Sequence, residues 1–141
     1  MVRKFIRACL FAALGLFAVA LSFGTAATPI SPNNDDKVPD ISEIMNKGHK
    51  GADSYISLIR KAAKSEQWGD AQKYAKSLAV FGECLGKNKP PKGDAESWKT
   101  LTEKYAAATK AVFKATEDKN AKAVNSALGT IDCKGCHSKH R

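Results

Sequence analysis

Cys133-Lys134-Gly135-Cys136-His137 is the segment whose residue types and spacing could do chemistry. Two thiols three positions apart stand about one helical turn from each other, and an imidazole follows directly. Cys-x-x-Cys-His is the attachment signature of c-type haem: the thiols add to the two porphyrin vinyl groups, and the histidine reaches the iron from the same face. Other chemistries suit the segment less well. A thioredoxin-like redox pair needs a strand leading into its helix. A Cys133–Cys136 disulfide would close too short a loop to constrain the unfolded chain much. Zinc on Cys133, Cys136, His137 and His140 would need four residues of one short helical stretch to surround a tetrahedral ion. The chain shows no paired carboxylates, nucleophile triad or phosphate loop, so an enzyme is not expected.

The elements that must position this motif are helical. From Ile41 onward the apolar residues recur with the helical period, and nothing alternates long enough to be a strand. A first helix is expected from about Asp40 to Ser65, with Ile41, Ile44, Met45, Gly48, Ala52, Tyr55, Ile56, Ile59, Ala62 and Ala63 inward and Lys47, Lys50, Ser54, Ser57 and Lys61 opposite. Met45 falls within the apolar arc and His49 at its edge. A second helix, about Trp68 to Gly86, buries Ala71, Tyr74, Ala75, Leu78, Phe81, Gly82 and Leu85, with Cys84 at the margin as a half-buried apolar residue. The stretch 87–93 contains Pro90 and Pro91 and is the long loop. Asp94 is the expected N-cap of a third helix to about Glu117, carrying Trp98, Leu101, Tyr105, Ala108, Val112 and Ala115 inward. A fourth runs from about Asn120 through Val124, Leu128 and Ile131 to the motif. The expected fold is all-α, an antiparallel four-helix bundle over residues 41–141.

The 141 residues are 43% hydrophobic and 26% charged, with 23 Lys and Arg against 14 Asp and Glu. That excludes a disordered, collagenous or disulfide-dense chain. Arg3, Lys4 and Arg7 precede an apolar run from Ala8 to Phe23, and small residues follow at 24–27. Residues 1–27 therefore make a secretory signal, with cleavage expected after Ala27. The run is short for a bilayer span, so no permanent membrane anchor is expected and the destination is the periplasm. Cys9 leaves with the signal. Residues 28–40, with Pro29, Pro32 and Pro39 among polar residues, form a flexible leader. Cleavage leaves 20 basic against 14 acidic residues, a formal charge of +6. The lysines are scattered along helical faces without a basic block, which argues against nucleic acid and for weak steering toward an acidic partner.

With the motif on the last of four helices, the sequence resembles the cytochrome c prime family, including its low-spin subgroup. The resemblance covers roughly Ile41 to Arg141: helix order, a Pro-containing loop before the third helix, and Cys133-Lys-Gly-Cys136-His137 with a basic residue four positions later. It implies one covalent haem c per chain, held within the bundle on the fourth helix with His137 as proximal iron ligand, while the distal face looks onto the first helix. Met45 matches the low-spin members' sixth ligand. His49, one turn further on, is the competing ligand, with a solvent or propionate contact as its other role. Arg141 matches a basic residue that pairs with a propionate. His140, three after His137, is expected at the surface or the haem edge, and Trp98 and Tyr105 in the core or haem wall. The implied function is one-electron transport between redox partner proteins, with homodimers as in many family members. The alternative is a high-spin protein binding nitric oxide or carbon monoxide at an open distal site.

Overall fold

The computed structural model describes residues 37–141. The expected signal at 1–27 and residues 28–36 of the expected leader lie outside the described residues. Among the described residues every regular element is helical: α1 (Ile41–His49), α2 (Tyr55–Lys64), α3 (Trp68–Leu85), α4 (Ala95–Glu117), α5 (Ala121–Gly129) and α6 (Cys133–His140). None of these helices is long and apolar enough to cross a membrane.

Side-chain caps start five of the six. Asp40, Ser54, Asp94, Asn120 and Asp132 each accept a backbone N–H three residues on, satisfying a donor that the first helical turn leaves free. Two of these caps mark departures from the expected helices. The first expected helix is broken at 50–54, where Gly51 adopts a φ of +84° and Ser54 turns its hydroxyl to the Gly51 carbonyl at 2.8 Å. Ser54 is consequently buried at 1% exposure rather than facing solvent, and Ala52 is exposed rather than inward. The last expected helix is likewise broken at 130–132. Asp132 caps α6 there by accepting from Gly135 N at 2.7 Å.

The helices pack in sequence: α2 on α3, α3 on α4, α4 on α5, and α5 back on α2. Within this ring Ile59, Ala75, Leu78, Val112, Val124 and Leu128 form one buried cluster. The α3 and α4 backbones approach closely at Gly82, whose missing side chain admits Thr109 and Ala106. A second buried cluster, Ile44, Phe81, Leu85 and Trp98, lies where α1 meets α3, with Met45, Tyr105, Cys84 and Cys136 packed around it. The α1 helix rests on α2 and α3, and α6 on α4.

Candidate functional site

Two cavities adjoin this second cluster. The larger, about 820 Å³, is lined by residues of α1, by Leu85, Pro91 and Trp98, and by Cys136, His137, His140 and Arg141. The smaller, about 340 Å³, is lined by Leu101, Lys104, Tyr105 and 130–133 together with residues shared with the first. Met45, His49, Leu85, Cys136 and His137 line both. One thioether, two imidazoles and a motif thiol, drawn from helices at opposite ends of the described chain, thus border the same space.

Each motif residue owes its position to α6 and its cap. The Asp132 carboxylate fills the place where a Gly135 side chain would stand, so glycine at the third motif position lets the cap close tightly over the first turn. Cys133 is exposed, with its thiol 3.6 Å from the Ile131 carbonyl, and Cys136 is half-buried. Both are free thiols. Burial, followed by the nearby Asp132 and Cys133, raises the Cys136 pKa and holds it as a thiol.

His140 is neither at the surface nor free. It is 3% exposed, donates from Nδ1 to the Lys92 carbonyl at 2.8 Å, and meets Ser97 Oγ through Nε2 at 3.2 Å. A carbonyl can only accept, so the Nδ1 proton is fixed by that contact. The ring stands edge-on to Trp98, with centroids 5.2 Å apart. Trp98 Nε1 in turn donates to the Asn88 carbonyl at 2.8 Å, and Asn88 Nδ2 donates to the carbonyls of Pro39 and Cys84. This network ties the chain entering α1, the end of α3, the proline loop and α6 together around the larger cavity. Both ring nitrogens of His140 are thus engaged in hydrogen bonds to protein groups. Among the described residues no three His, Cys, Asp or Glu side chains converge as a bare metal ion would require.

His49 also differs from its expected place at a solvent edge. It is half-buried, and its Nε2 lies 2.7 Å from the Tyr105 hydroxyl on α4, with ring centroids 5.5 Å apart. Burial lowers its pKa, and His137 lowers it further. Burial, with a smaller contribution from Cys133, pushes the Tyr105 phenol up, so it keeps its proton. Met45 is half-buried against the Phe81–Trp98 cluster and presents to both cavities. Arg141 is exposed and lines the larger cavity together with Lys50, while Lys104 lines the smaller. Cys84 is half-buried outside both linings.

Leu85, Lys104 and the 130–132 turn are site residues that the sequence did not single out. A helical stripe marks Leu85 as buried but not as a cavity wall, and a lone lysine carries no signal of its neighbours. No family model matches the chain, and neither the curated proteins nor the solved structures contain a match.

Proposed function

We propose that this chain is an exported c-type cytochrome that carries single electrons, with one haem c bound through Cys133 and Cys136, His137 as proximal iron ligand and Met45 as distal ligand. The observation that carries the reading is the shared wall: Cys136 and His137 of α6 border the same two cavities as Met45 and His49 of α1. These residues fit the group. Their cavities are of about the size of ordinary cofactor pockets, roughly 300–1,000 Å³, and the walls are mainly apolar, with Leu85, Trp98 and Ile41 among them. Lys50, Lys104 and Arg141 supply cations for anionic propionates. Haem, when bound, supplies a one-electron iron couple whose potential a thioether–imidazole ligand pair raises.

The ring of contacts from α2 through α5 supports an antiparallel four-helix bundle in which α1 with α2, and α5 with α6, each serve as one broken member. Export to the periplasm belongs to the same reading, since covalent haem attachment is carried out on exported chains. The basic mature chain suits redox partners with an acidic docking surface.

Optical spectra of the purified protein, ferric and ferrous, with and without carbon monoxide, test the reading. A covalently held low-spin haem that turns high-spin in Met45→Ala and stays low-spin in His49→Ala is the expected result. A high-spin haem that binds carbon monoxide fully would replace electron transport by gas binding, and absence of covalent haem would overturn the assignment.

A further inference from the structure

Two candidate distal ligands, Met45 and His49, line both cavities, and only one of them is already engaged. Among the described residues the only hydrogen-bond partner of the Tyr105 hydroxyl is His49 Nε2 at 2.7 Å. A neutral imidazole has one nitrogen that donates and one that accepts. In the neutral tautomer that carries its proton on Nδ1, the Nε2 lone pair accepts the tyrosine proton across this contact. That is the same lone pair an imidazole uses to bind a metal. Met45 has no such partner.

Resting on the haem reading above, we propose that Tyr105 is a ligand-selecting residue: by donating to His49 Nε2 it holds that imidazole away from the iron and leaves the distal position to Met45. Among the described residues Tyr105 makes no hydrogen bond to either member of the expected pair. It acts through His49, and it does so from α4, which also carries Trp98 and supports α6. The tyrosine–histidine pair therefore fixes the His49 side chain on the element that backs the motif helix. Position alone would not do this, because His49 lies one helical turn from Met45 on the same side of α1.

The test is Tyr105→Phe in the full, haem-loaded protein, compared with wild type and with Tyr105→Phe/His49→Ala. Phenylalanine keeps the ring and removes only the donor. Removal of one partner of a buried hydrogen bond shifts such an equilibrium by about tenfold to a hundredfold. The expected result is a gain of bis-imidazole signature in the optical and electron-spin-resonance spectra of Tyr105→Phe, with a lower reduction potential, both reversed in the double variant. A change in the overall fold would not be reversed by His49→Ala. A Tyr105→Phe spectrum identical to wild type overturns the inference, as does a wild-type protein already ligated by His49. Nitrogen NMR of the wild-type His49 ring gives a second readout, with a hydrogen-bonded, unprotonated Nε2 expected and a protonated Nε2 contradicting the proposal. Failure of the haem reading has a different signature, since the wild-type protein would then carry no covalent haem at all.

Discussion

Loss of water around His49 lowers its pKa from the ordinary value of about 6.5, and the neighbouring His137 lowers it again. A histidine with a depressed folded pKa binds fewer protons in the folded than in the unfolded state, so its contribution makes stability rise with pH. On acidification that contribution starts to fall near the unfolded value of about 6.5, and the loss is complete only below the depressed folded value. Thermal melts from about pH 7.5 down to about pH 5 should therefore show a falling Tm, and His49→Gln should flatten part of that fall. An unaltered slope in the variant would mean that the folded protein protonates His49 without penalty. The helical period locates His49 on α1 but says nothing of Tyr105, which is 56 positions away. His140 is a similar case. Its partners Ser97 and Lys92 are 43 and 48 positions distant, and a sequence in which Ser97 is one of several unremarkable serines offers no sign that they meet.

At the scale of elements, the apolar spacing was sufficient for α3 and α4, whose stripes run unbroken and whose ends carry a proline loop and an aspartate cap. It was insufficient at 50–54 and 130–132, because the apolar period resumes in phase after each break. Ser54 and Asp132 were legible as caps only once the chain was known to turn there. The break before α6 frees the motif helix from α5, so its docking depends on other contacts, above all those of the loop 86–94. Gly93 is central to them. It has a φ of +81°, and a side-chain carbon there would stand 2.8 Å from both His140 Nδ1 and the Lys139 carbonyl. Gly93→Ala thus meets a left-handed backbone penalty of about 1–2 kcal/mol and displaces the His140 ring as well. We expect urea denaturation to show a loss of about 2–3 kcal/mol, with faster amide exchange in α6. Gly69→Ala is the control, since an added methyl meets nothing within 4 Å there and alanine favours a helix. Equal stability of the two variants would show that the loop does not hold α6.

Across the described chain, the two buried clusters differ in how far protein atoms alone complete them. Ile59, Ala75, Leu78, Val112 and Val124 are fully inaccessible and belong to the ring of α2 to α5. The Ile44–Phe81–Leu85–Trp98 cluster instead borders about 820 Å³ and 340 Å³ of open space, with Met45, Tyr105 and Cys136 only partly covered. Interiors are normally packed as closely as organic crystals, so a region with this much unfilled volume gains most from a ligand that fills it. Removal of the covalent anchor should therefore act unevenly. In Cys133→Ser/Cys136→Ser, covalent haem should be absent and Tm should fall sharply, while circular dichroism retains the helix content of α2 to α5. Hydrogen exchange should then accelerate in α1, α6 and the 86–94 loop well before it does in Leu78 or Val112, because the first group closes on the cavities and the second does not. If the variant instead melted as cooperatively and at the same temperature as wild type, the cavities would not be the unfinished part of the core, and the shared wall of Met45, His49, Cys136 and His137 would lose its meaning as a cofactor site.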